Sequence, residues 1–167
     1  MNGQEQVNFQ VPFAVAGRST AAVIVTRDGQ ASASVDVPVL TIQPGVYTSD
    51  GTQAIAVHNA DYTLATAARP LERDEYAFLY VSGLGAVANA PADGAGGPVL
   101  PPATAMADVR LTLGGAPCEV QFAGLAPGFA GVYQVNFRVP VGAGSGAQDI
   151  VVSANGVASP AVRVNVR

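Results

Sequence analysis

A seven-residue string at positions 6–12, QVNFQVP, returns as QVNFRVP at positions 134–140, with six of seven residues identical and an offset of 128. In each copy apolar and polar residues alternate. Val7, Phe9 and Val11 carry the pattern in the first, and Val135, Phe137 and Val139 in the second. A period of two puts those side chains on one face of an extended strand. The proline that follows has no N–H to give to a ladder, so it closes the strand.

The repeat extends beyond the string. After the first copy come the turn-prone residues 16–19, an apolar run at 21–26, Asp28-Gly29, and a third run in which Val35, Val37 and Val39 alternate with Ser34, Asp36 and Pro38. Asp-Gly between apolar runs is a hairpin signal, and Pro38 places the last run at a sheet edge or a bulge. After the second copy come a loop at 142–146, a strand at 149–153, Asn155-Gly156, and Val162, Val164 and Val166. Gly29, Ser32 and Val35 align with Gly156, Ser159 and Val162 at an offset of 127. Two copies of a three-strand unit with the same ending mean an internal duplication. The expected inward face of the first unit is Val7, Phe9, Val11, Val35, Val37 and Val39.

Between the copies, residues 53–58 and 62–66 read as a hairpin around 59–61. A charged turn follows at 69–75 (Arg69, Glu72, Arg73, Asp74, Glu75), then an apolar strand at 75–83. Residues 86–104 form a long Pro/Gly/Ala loop. Residues 108–113 and 119–122 are strands flanking Gly114-Gly115. No stretch carries apolar residues at helical spacing over three turns. The 19 glycines and 12 prolines punctuate short apolar runs, as expected of an all-β antiparallel sandwich.

The strings VSGLG, VRLTLGGAPCEVQFAGLAPGFAGVYQVNFRVP and NGVASPAVRVNV resemble the IPT/TIG class of immunoglobulin-like domains. More closely, they are similar to a C-terminal domain family of large secreted or surface proteins of acidobacteria. The resemblance covers nearly the whole chain. It implies an immunoglobulin-like β-sandwich, an extracellular or cell-surface setting as part of a longer exported chain, and no catalytic residues. A full unit of this kind carries a strand pair before its QVNF strand, as 108–122 precedes 134, whereas only MNGQE precedes Gln6. The expected organisation is therefore a partial repeat of three strands at 1–40 and a complete module at 41–167.

Charge and composition narrow the function further. The net charge is −4 and every basic residue is arginine. That balance argues against nucleic acid, whose binding needs a cationic face, and the absence of lysine excludes Schiff-base and isopeptide chemistry. The longest apolar runs are too short to cross a membrane, and MNGQEQV lacks the features of a signal peptide. One cysteine, Cys118, allows no internal disulfide.

Candidate chemistry is sparse. His58 is the single histidine and reads as a surface or half-buried structural residue, since no G-x-S-x-G elbow accompanies it. Cys118 reads as a small apolar residue, because Glu119 beside it is the wrong sign to stabilise a thiolate. No cofactor is expected. Calcium is the one metal kept open, through Asp50, Asp61 and Asp93 in Gly- or Asn-containing loops, with turn-forming aspartate the favoured reading. Glycan binding would rest on Tyr47 and Tyr62, both near turns.

The chain thus reads as a non-enzymatic structural, adhesion or assembly module, with a carbohydrate-binding module of a secreted enzyme as the alternative. Its partners would be other modules of the same precursor, copies of itself, or polysaccharide. Strand edges around Val7, Phe9 and Val11 recruit other strands when left open. Two arrangements satisfy residues 6–40: packing onto the module within the chain, or completion of a neighbour's sheet head to tail.

Overall fold

Alternation at residues 133–139 produces the central strand of the molecule. In the computed structural model, which describes residues 6–167, Val135, Phe137 and Val139 are fully buried. Around them the chain is all-β. The N-terminal part holds β1 (Thr20–Val23), β2 (Thr26–Arg27), β3 (Gln30–Ala31) and β4 (Val35–Pro38). The remainder holds β5 (Gly45–Val46), β6 (Ala56–His58), β7 (Tyr76–Ser82), β8 (Val109–Leu113), β9 (Ala116–Leu125), β10 (Tyr133–Arg138), β11 (Gly146–Ala154), β12 (Val157–Ala158) and β13 (Val162–Val166). One 3-10 turn, Phe13–Val15, is the only helical element among the described residues.

Strands β5 to β13 make a single nine-stranded sheet in the order β12-β11-β8-β9-β10-β7-β5, with β13 beside β11 and β6 beside β7. Its named strand pairings are all antiparallel. The sheet curls into a half-barrel because its long strands change partners along their length. Residues 116–118 of β9 pair with β8, and residues 119–125 pair with β10. A register shift between Asn136 and Phe137 adds a bend. Hydrogen bonds from Ala54 N to Arg163 O (2.8 Å) and from Arg163 N to Thr52 O (2.7 Å) draw the β13 end toward the β6 end. Leu71 N to Asn165 O (2.8 Å) does the same further along.

The concave side holds one core, built from Leu79, Val81, Leu111, Leu113, Leu125, Phe137, Ile150, Val152 and Val164 among others. Each such side chain contributes about 1.5–3 kcal/mol by leaving water. Gly83 is required where β7 ends. Its φ is +70°, and a Cβ there would stand 1.8 Å from Gln43 O, so no larger residue fits.

The N-terminal part behaves differently. β1 pairs with β4 and β2 with β3, as two small sheets separate from the nine-stranded one. Residues 6–12, expected as the first strand of the repeat, form no ladder. The inward face expected there is not buried. Val7, Phe9 and Val11 are 63%, 65% and 58% exposed, where their counterparts Val135, Phe137 and Val139 are at 0%. Val35 and Val37 are exposed as well. The physical reason is the lack of neighbours: β10 lies between β7 and β9, and among the described residues no strand flanks 6–12. Residues 10–13 make hydrogen bonds and core contacts to the rest of the chain. Phe13 N donates to Asp93 Oδ1 (2.7 Å), Gly94 N donates to Gln10 Oε1 (3.0 Å), and the Phe13 ring rests against the core. Residues 1–5 of the expected partial repeat lie outside the described residues.

Candidate functional site

Two surfaces stand out, and both are apolar. The first is the uncovered face of residues 6–40, with Val7, Phe9, Val11, Ile24, Val25, Val35 and Leu40 open to solvent. A hollow of about 540 Å³ lies against the hairpin there, lined by Val25, Arg27, Asp28, Gln30, Ala31 and Ser32. These exposed large apolar residues, all within one segment, make it a candidate interaction surface.

The second surface is an aromatic ribbon. Strand β7 places Tyr76, Phe78 and Tyr80 on the face opposite Ala77, Leu79 and Val81; Tyr76 is exposed, Tyr80 half-buried and Phe78 buried at 3%. Tyr62, at φ +59° in the turn after β6, lies with its ring centroid 6.2 Å from that of Phe78. Phe78 meets Tyr80 edge-on at 5.5 Å, and Tyr80 meets Phe129 at 5.8 Å. Tyr47, whose N–H donates to Tyr80 O (3.0 Å), closes a shallow groove of about 190 Å³ with Ile55, Tyr80, Phe129 and Val132. The two tyrosines singled out from sequence thus sit near opposite ends of one ribbon. Phe129 escaped notice in the sequence because it sits in a Gly/Pro loop, where a lone aromatic was itself the available signal.

The titratable residues are occupied with holding loops. His58 is buried at 4% exposure, not at the surface. Its Nδ1 lies 3.1 Å from Glu75 Oε2 and its Nε2 lies 3.4 Å from Arg69 O, so it ties β6 to the charged turn. That turn is itself a clasp. Arg73 donates to Ala143 O (2.7 Å) and to Ser145 Oγ (2.8 Å). Asp74 pairs with Arg138 at 2.7 Å, Glu72 with Arg167, and Arg69 with Asp61. Cys118 is half-buried on β9, and burial pushes its thiol up to about 12. A thiol so raised is a poor nucleophile at neutral pH.

Two of the three loop aspartates, Asp50 and Asp61, act as turn acceptors, and the third accepts from a distant segment. Asp50 Oδ1 accepts from Gln53 N (2.7 Å), Thr52 N (2.8 Å) and Thr52 Oγ1 (2.9 Å), which lowers its pKa. Asp61 Oδ1 accepts from Thr63 Oγ1 (2.8 Å) and Thr63 N (3.1 Å). The Thr63 hydroxyl and then Arg69 hold its pKa at about 2. Asp93 is taken up by Phe13 N. These three carboxylates sit in separate loops, and among the described residues no three His, Cys, Asp or Glu side chains gather as a metal-ligand set.

No protein-family model matches the chain, and neither a curated protein nor a solved structure is similar to it. Among the described residues no helix is long and apolar enough to cross a membrane.

Proposed function

We propose that the protein is a non-catalytic structural and assembly module. In this reading it is an immunoglobulin-like unit of the IPT/TIG kind it resembles, from an exported bacterial surface or extracellular protein, and it meets its neighbours through residues 6–40. The observation that carries the reading is the contrast between the two repeats. Side chains that are wholly buried at Val135, Phe137 and Val139 stand in water at Val7, Phe9 and Val11. An apolar face of that kind is a joining surface by its chemistry, since water leaves it when a partner arrives.

Light scattering across a concentration series tests the reading. The wild-type chain is expected to associate with rising concentration. The double variant Phe9→Asp/Val37→Asp is expected to associate about tenfold more weakly or not at all, with an unchanged melting temperature. A wild-type chain that stays strictly monomeric at high concentration eliminates self-association through this face.

The aromatic ribbon favours a second reading, a carbohydrate-binding module. Tyr47, Tyr80 and Phe129 give flat faces for sugar rings, and the tyrosine hydroxyls supply polar ends. Retention on insoluble polysaccharide that is lost on Tyr47→Ala or Tyr62→Ala supports it, and no retention on a panel of polysaccharides removes it.

A further inference from the structure

We propose that residues 6–40 are the donor half of a split β-unit. Its acceptor is a second polypeptide segment with the chemistry of residues 41–125 of this chain, one whose strand positions are not already filled. This rests on the reading of residues 6–40 as a joining surface and names what the surface joins.

The molecule itself shows what covers such a face, because the second repeat is seen covered. Both copies fold to the same local geometry. In the first, Ala21 faces Val37 and Val23 faces Val35; in the second, Gln148 faces Val164 and Ile150 faces Val162, the same register displaced by 127 residues. The hairpin turns match, with Asp28 and Gly29 at φ +51° and +79°, and Asn155 and Gly156 at +47° and +83°. A serine hook matches as well. Val25 N donates to Ser32 Oγ (3.1 Å), Ser32 N donates to Val25 O (2.9 Å), and Ser32 Oγ donates to Ala33 O (2.9 Å). In the second copy Val152 N, Ser159 N and Ser159 Oγ make the equivalent bonds at 3.2, 2.8 and 3.0 Å. Residues 20–38 of the first repeat therefore already hold the local geometry that 147–165 adopt when covered.

The strands and bridging segments that pair with the second repeat come from residues 45–125. β10 is flanked by β7 and β9, β11 by β8, and β13 by residues 52–54 and Leu71. Residues 6–167 thus hold two donors and one acceptor, and that acceptor is filled. A second copy offers the same filled slot, and the incumbent fits that slot better. Arg27 aligns with Ala154, which is fully buried, and Val23 with the larger Ile150, also fully buried. A displaced C-terminal half would in any case leave an equal face exposed. The unfilled acceptor must come from elsewhere, and strand addition at the open edges of residues 6–40 is the mode by which it docks.

The test adds a separate polypeptide, residues 41–132 of this sequence, to the full chain. It is either mixed in or co-expressed, so that a fragment insoluble alone still meets its donor. One fragment is expected per chain. Amide exchange should slow about a hundredfold at residues 20–25 and 35–39 and stay unchanged at 133–166, and binding should be lost in Phe9→Asp/Val37→Asp. No complex even on co-expression, binding that speeds exchange at 133–166, or binding that survives the double variant each overturns the proposal. A chain that self-associates through residues 6–40 yet ignores the fragment keeps the assembly reading and removes this one.

Discussion

Ser32 and Ser159 make the same three hydrogen bonds in two surroundings, which separates local geometry from burial. Ser159 is buried, so Ser159→Ala leaves the Val152 N–H without that acceptor away from water, at a cost of about 1–3 kcal/mol. Ser32 is exposed, and Ser32→Ala should stay within about 0.5 kcal/mol. Urea unfolding of the two variants measures both, and equal losses would show that burial does not set the cost. Asp61 carries a pH effect at the same scale. Its folded pKa of about 2 lies below the ordinary 3.8, so its ionised form stabilises the fold above pH 3.8 and that contribution fades as pH falls toward 2. Asp61→Asn should flatten the stability profile between about pH 4 and pH 2, which acid titration followed by circular dichroism reads directly. The alignment of the two serines and the turn-forming role of this aspartate are visible in the sequence; that Ser159 is buried and that Arg69 reaches Asp61 are not, because both depend on residues brought in from other segments.

At the scale of elements, β10 and residues 6–12 show how little a strand's own sequence decides. They share six of seven residues, yet one is the centre of a nine-stranded sheet and the other forms no ladder. A strand is stable when its backbone groups and its apolar face both find partners. Phe137→Ala should cost about 3–5 kcal/mol, the range for emptying a packed aromatic site, while Phe9→Ala should fall within about 0.5 kcal/mol. Thermal melts of the two variants compare them, and a large loss from Phe9→Ala would mean that residues 6–12 are buried in solution. The hairpins at Asp28-Gly29 and Asn155-Gly156 were legible because two residues at positive φ determine them. The partner changes along β9 and β11 were not, since they arise from the curl of the whole sheet.

For the whole molecule, the core lies within residues 41–167, and among the described residues of the N-terminal part Phe13 alone is packed against it. Removing residues 1–40 should therefore shift the melting temperature by no more than about 4 °C, the change that roughly 1 kcal/mol produces in a domain of this size; calorimetry decides, and a much larger drop would mean that the N-terminal repeat shares the core. Alternation and Gly and Pro punctuation by themselves determined an all-β chain and the Asp28-Gly29 and Asn155-Gly156 turns with strands on either side, because these depend on neighbours a few residues apart; the strand expected at residues 6–12 is not formed. Only the tertiary structure decided which repeat is covered, that His58 is buried, and that Tyr47 and Tyr62 flank one aromatic ribbon. Those outcomes depend on which distant segments are present to exclude water, and an identical string cannot carry that information about itself.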